Sequence, residues 1–316
     1  MKVLVLSCNP KGYNYPSDTI NQLLLDHCIA SESMNILPFV RRTKPKDTLT
    51  DKLANYIDKE SFDTLIITHS YILNYLTRMQ ATVRTIGIIP YNDNPSSWKK
   101  KILDYYILPN QTCMNEFLNQ GFMKDSLYPF GSPVPSSYEQ CYTRQEAKDL
   151  LSLSYHVHLN AKQHYLLLFA DGFPLQQIIR LIQLISSSFH WKQNIIVIHN
   201  HPITLQQKLN HYSDLLPNLL FMDATFNLSL IMDACYLCIT PKAHHYIPLA
   251  IKKRLPVISL HKEFDHQDAT FLLEQIHLLS TDESYRTKRI QDEQNDNPTN
   301  TNHKLITLIK SLRQPS

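Results

Sequence analysis

The sequence predicts an α/β protein built from two doubly wound domains, each a parallel sheet with helices on both faces. Three observations predict it. Apolar runs of strand length alternate with helix-period segments along almost the whole chain of 316 residues. The runs are apolar at successive positions, as in strands buried on both faces. A proline-rich break, Pro133 to Ser137, divides the series into two.

The first series opens on VLVLS (3–7), followed by the helix-period segment DTINQLLLDHC (18–28). MNILPF (34–39) reads as the next strand and DTLTDKLANYI (47–57) as the next helix. TLIITHS (64–70), YILNYLTRMQ (71–80) and TIGIIPY (85–91) continue the alternation, with a short helix around Trp98. YYILP (105–109) leads into QTCMNEFLNQG (111–121), where Gly121 is a natural helix stop. SLYPFGSPVP (126–135) ends this half.

The second series restarts at the helix TRQEAKDLLSL (143–153). It alternates YLLLFA (165–170), PLQQIIRLIQLI (174–185), IIVIH (195–199) and TLQQKLNHY (204–212). LLFMD (219–223), LSLIMDA (228–234), LCIT (237–240), YIPLAIKKR (246–254) and PVISL (256–260) follow. The polar stretch 291–302 reads as a mobile loop before a last helix, HKLITLIKSL (303–312). In such sheets ligands bind at the carboxyl ends of the strands, so the residues leaving each strand are the candidates for chemistry.

Composition narrows the classes. No apolar run reaches the roughly 18 residues of a membrane span, and the chain begins on a strand pattern without a signal peptide. Six cysteines at irregular spacings read as reduced thiols of a cytoplasmic protein, with Cys235 and Cys238 as buried thiols. A formal net charge of +3 fits an anionic small molecule or an anionic membrane surface, and no nucleic acid is expected as a partner. Only 5 glycines are present, and glycine is what lets a backbone approach a phosphate closely. No Walker motif, G-x-G-x-x-G or zinc pattern occurs.

Several motifs carry a family resemblance. Gly131-Ser132-Pro133-Val134, a spacer and the helix bearing Ala147-Lys148-Asp149-Leu150-Leu151 resemble the interdomain segment of the monogalactosyldiacylglycerol synthases and processive diacylglycerol glucosyltransferases. Trp98, the Asp104-x-Tyr106 strand and the helix ending at Gly121 are similar to that family upstream. Residues 219–258 can be laid on its donor segment without a gap. The resemblance implies the GT-B fold, two facing Rossmann-like domains: an acceptor-side domain over 1–135 and a nucleotide-sugar-side domain over 136–302. It further implies that the helix of 303–316 packs back on the first domain. The implied activity is transfer of a hexose from a nucleotide sugar, such as a uridine-linked one, to a lipid or cell-envelope acceptor. The nucleotide sugar is the substrate and no cofactor is expected. The location implied is cytoplasmic, peripheral on the inner face of the cell membrane.

The resemblance carries over residue by residue. The donor diphosphate of the family lies against a Gly-Gly pair, here Ala243 and His244, and a glutamate that binds the ribose is here Leu249. The first donor-side loop keeps Gly172 and Phe173 behind Asp171, and Phe226 matches an aromatic turn. The family's catalytic histidine loop reads Gly12-Tyr13-Asn14-Tyr15, which leaves Tyr15, His69 and Asp93 as candidates to assist the acceptor hydroxyl. His199, His201, His244, His245 and Lys242 leave strands of one crevice and can form an anion pocket whose imidazoles charge as pH falls from about 8 to about 6. Imidazoles also suit zinc, but spacing fixes no further ligand, so no metal is assigned. Basic segments at 41–46 and 97–101 are candidates for anionic lipid. The eroded donor loop keeps a second reading open: a catalytically inactive GT-B protein serving as a binding, scaffold or regulatory partner.

Overall fold

The computed structural model describes residues 1–8, 15–42, 46–76, 83–91, 93–156, 159–160, 163–188, 194–200, 202–209, 219–223, 227–242, 244–298 and 300–312. The chain divides into two compact units, Met1–Ser136 with Asp296–Ser316, and Ser137–Asn295.

The first unit is a six-stranded sheet of β1 (Lys2–Ser7), β2 (Ala30–Asn35), β3 (Thr64–Ile67), β4 (Arg84–Ile88), β5 (Tyr105–Ile107) and β6 (Leu127–Tyr128). The spatial order is β2-β1-β3-β4-β5-β6 and every pairing is parallel. Helices α1 (Tyr15–Asp26), α2 (Leu37–Arg42), α3 (Lys46–Lys59) and α4 (Gln111–Asn119) connect the strands. Alternate side chains of β1 serve two cores, as the two-residue period of a strand requires. Leu4 and Leu6 join Leu65 and Ile67 on one face, while Val3 and Val5 join Ile66 and Ile86 on the other.

Two readings in this unit are corrected. The strand placed over MNILPF is β2, which lies four residues earlier, and Leu37 starts a helix. The Asn35 side chain accepts a hydrogen bond from the Leu37 N–H at 3.0 Å, and Pro38 in the first turn gives up no intrahelical bond. YILNYLTRMQ is not an α-helix over its described part. Ser70–Tyr75 forms a 3-10 helix, and 77–82 lies outside the described residues.

The second unit is a parallel five-stranded sheet of β7 (Tyr165–Phe169), β8 (Asn194–Ile198), β9 (Leu219–Met222), β10 (Leu237–Pro241) and β11 (Val257–Leu260), in the order β11-β10-β7-β8-β9. Its helices are α5 (Arg144–Tyr155), α6 (Leu175–Ser188), α7 (Pro202–Leu209), α8 (Leu228–Ala234), α9 (Ile247–Lys252), α10 (His266–Thr281) and α11 (Glu283–Asp296). Thr143 and Glu146 make a reciprocal capping box that starts α5. The polar stretch read as a loop from 291 is corrected: its first six residues complete α11. Polar anchors hold this helix. Arg286 donates to the Tyr236 carbonyl at 2.6 Å, Arg289 donates to the Val257 carbonyl at 3.1 Å, and Glu293 accepts from the Val257 N–H at 3.2 Å.

The last helix, α12 (Thr301–Ser311), belongs to the first unit. Leu305, Ile306 and Ile309 complete the core that contains Val3, Val5 and Ile66. Thr301 donates to the Phe130 carbonyl at 2.7 Å, and the Asn302 amide donates to the Val134 carbonyl at 2.8 Å.

Candidate functional site

In the first unit the candidate residues leave three neighbouring strands. Tyr15 begins α1 after β1, His69 follows β3 and Asp93 follows β4, and β1, β3 and β4 are adjacent. The turn of Gly12, Tyr13 and Asn14 lies outside the described residues. Nδ1 of His69 accepts a hydrogen bond from the backbone N–H of Tyr71 at 3.0 Å, capping the 3-10 helix. In the neutral ring the proton is therefore on Nε2. Burial holds the His69 pKa below its usual 6.5, and the neighbouring Asp93 carboxylate offsets this in part. Asp93 is fixed in turn: Oδ2 accepts from the Trp98 indole at 2.8 Å, and Oδ1 accepts from the Asn94 N–H at 2.8 Å. Each carboxylate oxygen keeps a second lone pair. The pair thus offers one N–H donor and one base.

In the second unit β10, β7 and β8 are adjacent, so the exits carrying Lys242 to His245, Asp171 to Phe173 and His199 lie side by side. Gly172 turns the chain at φ +96°, and a β-carbon there would touch Pro241. His199 Nε2 is 3.6 Å from an Asp171 oxygen, and the same carboxylate accepts from the Asn200 N–H at 3.1 Å. Lys242 is exposed and its ammonium lies 2.7 Å from Nε2 of His261. Phe173 belongs to the apolar core, and Leu249 is 1% exposed on α9. His201, Phe226 and Ala243 lie outside the described residues.

His244 and His245 are built into a cluster of rings. The His244 ring stacks on Phe169 with centroids 5.7 Å apart and lies 4.3 Å from that of His245. Tyr246 packs on Phe169 at 4.6 Å and on His245 at 3.8 Å. Burial lowers the pKa of His244 to about 4 and that of His245 to about 3. The expectation that these two imidazoles become cationic near pH 6 is therefore corrected: desolvation keeps both neutral there. What they offer a ligand is flat aromatic surface and neutral hydrogen-bonding groups. Phe169 and Tyr246, absent from the sequence candidates, make the cluster possible. Phe169 ends β7 and Tyr246 immediately precedes α9, and these positions beside strand exits are the signal the sequence offers. Among the described residues, no three metal-ligating side chains gather at one point.

Residues 11–134 are similar to the monogalactosyldiacylglycerol (MGDG) synthase family. No match to a curated protein was found. Among solved structures, the UDP-GlcNAc 2-epimerase of Methanocaldococcus jannaschii in complex with UDP-GlcNAc and UDP is similar over 98% of this chain and 100% of its own. Its TM-score is 0.66 at 10% identity. Anabaena Alr3699/HepE in complex with UDP and glucose has the same coverage and TM-score at 13% identity. The UDP-GlcNAc 2-epimerase of Neisseria meningitidis bound to UDP-GlcNAc has a TM-score of 0.64 at 13% identity, covering 98% of this chain and 100% of its own. At such identities the likeness is one of fold, and the fold is of the GT-B class with two Rossmann-like domains.

Proposed function

We propose that the protein is a glycosyltransferase-like protein that binds a nucleotide sugar through its second unit and an acceptor hydroxyl through its first. The observation that carries this reading is the placement of the candidates at the carboxyl ends of adjacent parallel strands in both sheets. The similarity of residues 11–134 to MGDG synthases supports the transfer chemistry, and the UDP-sugar complexes among the structural neighbours support the donor class. In the proposed reaction the acceptor oxygen bonds to the anomeric carbon while the carbon–phosphate-oxygen bond breaks. The nucleoside diphosphate leaves with that electron pair, and the hydroxyl proton passes to Asp93. His69 positions the acceptor through its Nε2–H, and the rings of His244 and His245 give the donor a stacking surface. A common hexose linked to UDP is the donor we infer.

The acceptor we infer is a lipid at an anionic membrane. A groove of about 520 Å³ at the amino edge of β5 and β6 is lined by Lys99, Ile102, Phe122 and Met123, with Asp104 and Asp125 beside them. Ile102 is 84% and Met123 74% exposed, beside the exposed Lys100 and Lys124. Apolar tips among lysines suit insertion between anionic headgroups. Lys101, which the sequence grouped with these cations, instead turns inward and donates to the Leu76 carbonyl. The basic segment 41–46 lies outside the described side chains. No helix of the described residues is long and apolar enough to cross a membrane.

A second reading, a protein that binds the donor without turning it over, is favoured by one observation. Leu249, at the position of the family's ribose-binding glutamate, is sealed in the core and has no polar group to offer. Calorimetric titration with UDP-glucose, UDP-galactose and UDP-GlcNAc, followed by UDP-release assays on diacylglycerol-containing vesicles, tests both readings. Binding with release that Asp93→Asn suppresses supports transfer, and binding without release supports the second reading. No heat from any uridine nucleotide would overturn both.

A further inference from the structure

The second unit carries a basic pocket of about 540 Å³ at the amino edge of its sheet, lined by residues just before α5, at the ends of α8 and α9 and along α11. The candidate donor residues leave the other edge, roughly 15 Å away along the length of β10. Four cations and two carboxylates line the pocket. Asp233 and Lys253 pair with each other at 2.5 Å, both side chains almost wholly buried. That leaves Arg144, Arg254 and Arg286 against the exposed Glu283.

The three arginines line the pocket at some cost. Those of Arg144 and Arg286 lie over the same Tyr236 ring, 5.0 and 4.0 Å from its centroid. Arg286 is 3% exposed, and both its burial and the charge of Arg144 oppose its protonation. Arg254 adopts φ +55°, the left-handed region where a helix end ordinarily has glycine or asparagine. The amino end of α5 adds its partial positive charge, since Thr143 and Arg144 both line the pocket. A doubly charged anion would relieve the repulsion, and planar guanidiniums match phosphate oxygens two at a time.

We propose that this pocket is a binding site for a soluble, phosphorylated small molecule held by Arg144, Arg254 and Arg286. The lining favours a soluble ligand over a lipid. Of its apolar members Met232, Cys235 and Leu255 are buried and Ile290 is half-buried, so little exposed apolar surface awaits an acyl chain.

Pyrophosphate is the probe, titrated by calorimetry at low ionic strength into the full chain. The expected result is saturable binding that Arg144→Gln or Arg254→Gln each weakens by about ten-fold or more, as loss of a charge-assisted hydrogen bond should. The double variant should bind no pyrophosphate at this pocket, and Glu283→Gln should bind more tightly than the wild type. Both arginines are exposed, so unchanged melting and circular dichroism will show that the variants fold. UDP binding should survive all of these changes, which separates this site from the proposed donor site. No pyrophosphate binding by the wild type, or equal binding by the double variant, would overturn the proposal. Capture of phosphatidylglycerol vesicles without any affinity for pyrophosphate, lost in the same variants, would overturn the soluble ligand.

Discussion

The backbone N–H of Tyr71 points at Nδ1 of His69 from 3.0 Å, and this one bond decides what the imidazole can do. With Nδ1 engaged as an acceptor, the ring presents a donor at Nε2 and is not free to take a proton there. His69→Asn should keep the cap, because an asparagine oxygen can replace Nδ1, and should leave stability nearly unchanged. His69→Ala should cost about 1 kcal/mol. Both variants should lose the Nε2 donor and weaken acceptor binding alike. Nitrogen-15 shifts showing the Nδ1–H tautomer in the wild type would defeat this assignment.

His244 and His245 make the fold acid-sensitive. Their folded pKa values, about 4 and about 3, lie below the unfolded value near 6.5. Below that value the unfolded chain binds protons that the native rings refuse, so the stabilisation is complete above pH 6.5 and is lost as pH falls towards 4 and 3. At pH 5 the loss is roughly 2 kcal/mol for each ring. Urea denaturation of the wild type between pH 7 and pH 5 should show the slope, and a His244→Gln, His245→Gln variant should flatten it. An equal slope in both proteins would place the acid sensitivity elsewhere.

Two glycines of the first unit should respond differently to alanine. Gly131 has φ +100°, and a β-carbon there would press on the Pro298 carbonyl and the Thr301 hydroxyl. Gly131→Ala should cost roughly 2–4 kcal/mol, measured by denaturant midpoint. Gly121 has φ +83° with open space around it. Its replacement should cost only about 1 kcal/mol, the penalty of the backbone conformation alone.

Ile102→Asp with Met123→Asp should release the protein from phosphatidylglycerol vesicles in a sedimentation assay while leaving its melting temperature unchanged, because both side chains are exposed. Added salt should weaken wild-type binding through screening of Lys99, Lys100 and Lys124. Retention of the double variant on vesicles would remove the groove from the membrane contact.

The parallel sheets were legible because β1, β7, β8 and β10 are apolar at successive positions, and little else folds that way. The strand exits followed from that, since their place at the carboxyl edge is a property of the topology. Helix α11 escaped because its hold on the sheet is polar: Arg286, Arg289 and Glu293 reach the Tyr236 carbonyl and the two backbone groups of Val257. A search for apolar periodicity has nothing to find in such a segment. The second strand was misplaced for a related reason. SESM within β2 is polar and half-buried at a sheet edge, while the apolar residues that followed it form α2. The neutrality of His244 and His245 was illegible in principle, because it depends on Phe169, seventy-five residues before His244 in the chain.

The membership of α12 in the first unit also dictates an order of events on the ribosome. The second unit is one uninterrupted stretch of chain and has all its strands before α12 is made. The first unit waits. Until Leu305, Ile306 and Ile309 emerge, the sheet face of Val3, Val5, Ile66 and Ile86 has only Ile20 and Leu24 of α1 to cover it. The domain synthesised first is therefore the one completed last, and its half-covered face is the surface a nascent-chain chaperone would meet.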